Sequence, residues 1–365
     1  GILNILDKAP LRDCRIAGTD VIGGEVLTRY EYVQPDVSKE GLPGIPAKLW
    51  IVTRRAQVVG EDTGDICAAA SPVWGVGRVL GQQELVGNWG GLIDLDSVAS
   101  PERLKEDALN VFNEMISGDK EDLIAFRGEK RYVPRLHYAS NLTKPLPTRF
   151  RSDGCYLITG AFGALGQLVA RTMVKHGARR LILMGRTKIP SRGEWNTVQP
   201  GTGNAEKFAF IKELESLGAD VLLASVDITN ELQVAEYFKE FKEMGYPPIR
   251  GIIHSAGTVN DKFVSKMDAR TFDSVYHPKV YGSFLLHKYL KDEPIEHFVL
   301  FSSVADLVTT AGQTNYAAGN AFLDALAHHR RANGLPALSI NWGPWATGMV
   351  KELDLIEHYR LRRGM

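Results

Sequence analysis

The 365-residue chain is 44% hydrophobic and 24% charged, enough apolar material for a large core and within the range of a globular protein of two domains. Lysine plus arginine equals aspartate plus glutamate at 43 each, so no basic excess points to nucleic acid and charge announces no partner. The 3 cysteines, Cys14, Cys67 and Cys155, are too far apart for a zinc site and make no disulfide framework; they read as structural thiols in a reducing compartment.

From Gly1 onward no basic segment precedes an apolar one, and nowhere do about 18 apolar residues run together. A soluble cytoplasmic protein without membrane contact is expected. Gly1 at the start, and Arg362-Arg363-Gly364-Met365 without a turn at the end, lead us to expect cuts in a longer chain. Leu49 to Thr53 is the first apolar, β-branched run, short enough for a buried strand. Ala68 to Pro72 is small-residue, Trp74 to Leu80 reads as helix, and Gly91 to Leu95 as a second strand. Ser100 before Pro101 and Glu102 has the signature of a helix N-cap with proline at the first position. A proline-containing connector from Asn141 to Pro147 separates this half from the next, so the domains are expected at 1–148 and 149–365.

Strand and helix alternate again from Cys155-Tyr156-Leu157-Ile158-Thr159. Such alternation predicts an α/β protein of two doubly wound, Rossmann-like subdomains. The first is expected to be degenerate. Where a phosphate-binding turn should follow its strand stands Thr53-Arg54-Arg55-Ala56-Gln57, so it should hold no cofactor and act as structural support.

In the second half, Thr159-Gly160-Ala161-Phe162-Gly163-Ala164-Leu165-Gly166 follows a strand and precedes a helical pattern, Gln167 to Val174. Glycines there allow a tight turn and close approach of backbone to a pyrophosphate, and a helix N-terminus supplies unpaired N–H groups. The next strand, Leu181 to Met184, ends in Gly185-Arg186, and an arginine at that place suits the 2′-phosphate of NADPH, where an acid would suit NAD. Asp227, closing the strand Val221 to Val226 and followed by Ile228, has two readings, a bond to the adenine edge or a helix cap. Ser255-Ala256-Gly257, after the strand ending in His254, offers another close backbone approach; His254 itself reads as structural.

Hydride reduction of a carbonyl requires a proton donor at the developing alkoxide, and a tyrosine serves when a lysine ammonium stabilises its phenolate. The strand Glu296 to Phe301 ends in Ser302-Ser303, either of which could hold a carbonyl oxygen. Tyr316 follows 13 residues after Ser303, and Asn320 lies 4 further on, on the same face if the segment is helical.

On these residues the chain resembles a ketoreductase of a modular polyketide synthase, in the short-chain dehydrogenase/reductase superfamily. Most such reductases carry lysine four residues after the tyrosine; the ketoreductases exchange the lysine and asparagine places, as Asn320 does here. The resemblance puts the lysine at Lys279, 24 residues before Ser303. It implies Tyr316 as general acid, Ser303 as the group that positions the ketone, and Lys279 with Asn320 as the proton relay. It also implies a strand and turn under the nicotinamide from Ser339 to Val350, and a lid helix from Lys351 to Tyr359, near 351–360. The activity implied is NADPH-dependent reduction of a β-ketoacyl thioester on an acyl carrier protein supplied by another domain or chain of the synthase. No metal is implied.

Product type follows from fingerprints in the same way. Val259-Asn260-Asp261 resembles the Leu-Asp-Asp signature of B-type ketoreductases with its last acid kept at Asp261, and Val308 stands where A-type enzymes have tryptophan. Ala318 replaces the proline usual in epimerising members. A D-β-hydroxy product without epimerisation is expected. Three other readings share these residues: a reductively inactive scaffold, an epimerase, and a free-standing NADPH-dependent carbonyl reductase.

Overall fold

The computed structural model describes residues 14–22, 25–32, 48–60, 64, 66–97, 100–138, 148–197 and 201–345, with backbone alone at 14–32 and 196–197. The connector 141–147, the tail beyond 345 and the lid helix expected near 351–360 lie outside the described residues.

The N-terminal half opens with an antiparallel hairpin, β1 (Cys14–Ile22) and β2 (Glu25–Tyr32), with a register irregularity between Ile16 and Gly18. There follow β3 (Leu49–Arg54), α1 (Pro72–Val79), β4 (Trp89–Leu95), α2 (Pro101–Ile116), β5 (Leu123–Arg127) and β6 (Lys130–Tyr132). They form one mixed sheet in the order β3-β4-β5-β6, parallel except for the last pair. β4 is buried along nearly its whole length, as a central parallel strand must be. α2 starts as its sequence indicates: Ser100 accepts a hydrogen bond from the Arg103 N–H and Pro101 occupies the first turn.

The turn after β3 is closed by the protein's own side chains. Arg55 has φ of 52°, and the next two N–H groups, of Ala56 and Gln57, donate to the two oxygens of the fully buried Asp94 carboxylate at 2.8 and 3.1 Å. Arg127 pairs with the same carboxylate at 2.6 Å. An internal anion from β4 therefore takes the donors that a nucleotide would need.

The C-terminal half contains β7 (Cys155–Thr159), α3 (Ala164–Lys175), β8 (Arg180–Gly185), α4 (Gly203–Ser216), β9 (Asp220–Ser225), α5 (Glu231–Glu243), β10 (Ile249–His254), α6 (Ala269–Leu290), β11 (His297–Ser303), α7 (Thr314–Ala332) and β12 (Leu338–Trp342). Its six strands run parallel in the order β12-β11-β10-β7-β8-β9. Neighbouring residues of a strand feed opposite cores: Leu157 and Ile182 pack with Phe238, Leu285 and Leu323, whereas Ile158 and Leu183 pack with Met173 and Ile211. The strand order reverses beside β7, between β10 and β8, and a crevice opens at the carboxyl ends of strands at such a switch.

The halves meet at α1 and α7. A Cβ on Gly75 would stand 2.3 Å from the Ala317 carbonyl oxygen, so the two backbones touch where only glycine fits. Nearby, Arg78 donates to the Asp306 carboxylate at 3.1 Å, both side chains being buried.

Candidate active site

The crevice is a cavity of about 700 Å³. Among the residues expected at a cofactor, Thr159, Gly160, Arg186, Asp227, Ile228, Ala256 and Gly257 line it. Gly160 has φ of +66°, and a Cβ there would come within 2.9 Å of the Ser255–Ala256 backbone. A Cβ on Gly166 would meet the Gly160 carbonyl oxygen at 2.5 Å. The loop is thus folded so tightly that glycine is required, and α3 starts directly behind it with Gly163 as its cap. Such a cradle, with N–H groups of a helix start aimed at it, fits a dinucleotide.

Phe162, Gly163, Ala164, Leu165, Gly166 and Ser255 shape this loop without lining the cavity. The Phe162 ring sits edge-on to Phe210, under the Lys207 ammonium. Ser255 donates its hydroxyl to the Thr159 carbonyl at 2.7 Å, and the Thr159 hydroxyl bonds His254 at 2.8 Å and accepts from the Ala256 N–H at 3.3 Å. This ties the ends of β7 and β10 together beneath the crevice. His254 is fully enclosed, and burial holds its imidazole neutral, with a pKa lowered to about 3. The structural reading of His254 agrees with this position.

Of the two readings of Asp227, helix capping goes to another residue. The N-cap of α5 is Asn230, whose side chain accepts from the Gln233 N–H, while Asp227 closes a turn on Thr229 and faces the cavity. Arg186, just beyond β8, is exposed at the cavity wall. The sequence reading missed Arg270, Ser274 and His277 of α6, which also line the cavity. Their spacing of four and three residues along α6 is the signal that one helix face looks into the crevice.

At the inner end, Lys279 of α6 is buried. Its stem passes between Gly257 and Gly319, where added Cβ atoms would stand 3.3 and 3.0 Å from its side-chain carbons. Its Nζ donates to the Phe301 carbonyl at 2.9 Å and lies 5.0 Å from the centre of the Tyr316 ring. Burial draws the lysine pKa down from 10.5 to about 8, against the pull of Asp324. Asn320 is fully buried, and neither its amide oxygen nor its nitrogen has a hydrogen-bond partner among the described residues. A buried amide in that state suits water-mediated contacts. Ser302 points into the protein and donates to the Asn320 carbonyl at 3.3 Å. Ser303, on the other face of β11, is partly exposed, donates to the Trp342 carbonyl at 3.3 Å and accepts from the Ala305 N–H. Asn315 also escaped the sequence reading: its amide donates to the Asn260 and Thr271 carbonyls and its oxygen receives the Tyr316 N–H, so it anchors the start of α7.

The signature of the KR domain family matches residues 154–347, more than half of the chain. The chain belongs to the KR domain family. This KR domain is 35% identical over 301 residues to a 5-methyl-1-naphthoate synthase of Streptomyces sahachiroi, covering 82% of the chain and 16% of that protein. It is 33% identical over 326 residues to a 6-methylsalicylic acid synthase of Aspergillus terreus, covering 88% and 18%. Less than a fifth of each of these relatives is thus spanned. Among solved structures, an A1-type ketoreductase superposes with a TM-score of 0.73 at 32% identity, covering 86% of this chain and 62% of that one. A C2-type ketoreductase from a modular polyketide synthase gives 0.71 at 31%, covering 86% and 62%. The KR domain is an oxidoreductase of the short-chain dehydrogenase/reductase type, a class that works with a nicotinamide cofactor.

Proposed function

We propose that this KR domain is the ketoreductase of a modular polyketide synthase, reducing a β-ketoacyl thioester carried by an acyl carrier protein to the D-β-hydroxyacyl thioester with NADPH. The observation that supports the reading is a glycine-cradled crevice with the buried Lys279 at its inner end, its Nζ 5.0 Å from the ring of the half-buried Tyr316, and the buried Asn320 one helical turn along α7 from that tyrosine. When bound, the cofactor supplies the hydride for the ketone carbon. Tyr316 gives its phenolic proton to the carbonyl oxygen as that oxygen gains charge. The Lys279 ammonium beside the ring stabilises the phenolate left behind, and the Asn320 amide orders the water that returns the proton. Ser303 turns its hydroxyl from Trp342 to the ketone oxygen and fixes its direction. Arg186 would hold the 2′-phosphate, Asp227 the adenine edge, and the backbone of 160–166 the pyrophosphate. We assign residues 149–365 to this reductase unit and 1–148 to its support.

For stereochemistry we favour the B-type, non-epimerising class. Val308 in place of tryptophan, Asp261 kept in its loop and Ala318 in place of proline support that choice. The test follows NADPH oxidation with a β-ketoacyl pantetheine thioester, for the wild type and Tyr316→Phe, and resolves the product on a chiral column. Turnover to the D product, lost in the variant while NADPH still binds, is the expected result. The L product overturns the type, and a wild type that binds no NADPH overturns the reductase reading.

A further inference from the structure

Helix α1 ends in a single π-turn, Leu80–Glu84, that projects from the N-terminal half onto two loops of the other half. The half-buried Glu84 carboxylate accepts the Gly312 N–H on one oxygen at 2.8 Å and the Val264 N–H on the other at 2.6 Å. The first donor lies in the loop that leads into α7 and Tyr316; the second lies in the loop after β10 that carries Asp261. These loops also touch directly, Lys262 N–H to the Gly312 carbonyl at 2.9 Å and the Gln313 amide to Asp261 at 2.8 Å. Gln82 and Gln83 of the same turn hold Thr309, by its hydroxyl at 2.8 Å and its carbonyl at 3.3 Å.

A carboxylate has two acceptor atoms at a fixed separation, so one that receives backbone donors from two segments fixes the distance between them. Loops at the carboxyl edge of an α/β sheet otherwise have freedom to shift, and these two bear Asp261 and Gln313 beside the proposed proton donor. We infer that Glu84 is a positioning residue: from outside the reductase unit it sets the gap between the two loops, and so the way an acyl chain is presented to Tyr316. The inference rests on the ketoreductase reading above.

The test compares Glu84→Ala and Glu84→Gln with the wild type and with Ile124→Ala, a fully buried position of β5 whose core cluster does not include the π-turn and which serves as a control for lost stability. Each protein is assayed at a temperature equally far below its own melting point for KM, kcat, NADPH affinity and the ratio of product enantiomers. Glu84→Ala is expected to raise the thioester KM at least fivefold and lower the enantiomer ratio at least threefold, with NADPH affinity within twofold. Glu84→Gln, which keeps one acceptor, should fall between, and it carries the test alone if the alanine variant does not fold. Unchanged KM and enantiomer ratio, or changes equal to those of Ile124→Ala, overturn the inference and leave the ketoreductase reading intact. A wild type without turnover overturns both.

Discussion

Replacing Lys279 by methionine separates the cost of the buried ammonium from its use. The ordinary lysine pKa of 10.5 falls to about 8 in the folded protein because the ammonium is desolvated. That difference corresponds to about 3 kcal/mol between the two protonation states. Between pH 8 and 10.5 the unfolded chain binds more protons at this site than the folded one, so wild-type stability should rise with pH through that window and be free of this contribution's pH dependence below it. Lys279→Met has no such titration. Below the window the variant escapes the charge burial but loses a charge-assisted bond to the Phe301 carbonyl, worth roughly 1.5–3 kcal/mol, so the two proteins should unfold within about 2 kcal/mol of each other at neutral pH. Urea unfolding of both without cofactor, from pH 7 to 10.5, checks this. The wild type should gain about 3 kcal/mol on the variant across the window. Parallel curves would refute the argument. Turnover in the variant should fall by roughly 10²–10⁴-fold at every pH if Tyr316 loses its partner in proton transfer.

Three further outcomes can be measured. Gly319→Ala, whose new Cβ lies 3.0 Å from the Lys279 stem, should displace the lysine and lower kcat by more than tenfold while NADPH affinity, read by fluorescence titration, stays within threefold. Arg186→Ala should lower kcat/KM for NADPH at least tenfold and leave that for NADH nearly unchanged; equal losses for both would deny Arg186 the 2′-phosphate. Arg78→Met leaves Asp306 buried without its cation and should cost about 3 kcal/mol at pH 8. Burial and the Asp324 carboxylate already raise Asp306 to about 7. Loss of the Arg78 cation raises it further in the variant, so the deficit in chemical unfolding should shrink as pH falls towards 7, and the two proteins should run parallel below that.

The parallel strands of the C-terminal half were legible because burial on both faces leaves continuous apolar runs, as in Leu181 to Met184 and Phe298 to Phe301. The glycine turn was legible because a left-handed residue and a backbone contact leave little choice at Gly160. The hairpin Cys14–Tyr32 was not, since Thr-Arg-Tyr-Glu-Tyr alternates without a clear apolar face. The choice between Ser302 and Ser303 was open on chemistry alone, and the pleat of β11 turns the first towards α7 and the second towards β12 and Trp342. Nothing local marks Asp94 as the internal anion of the first half, or Glu84 as a bracket between two loops. Each acts on residues that are distant in sequence, and no periodicity encodes such pairs.

The meeting of Gly75 with the Ala317 carbonyl has a consequence for chimeras. Where two halves touch through side chains, a foreign partner can repack by changing rotamers. Here main chain rests on main chain, one residue from Tyr316, and no rotamer is available to absorb a misfit. A hybrid that joins the first half of one relative to the second half of another would transmit any mismatch straight into the tyrosine helix. Exchanges that carry both halves together avoid that seam.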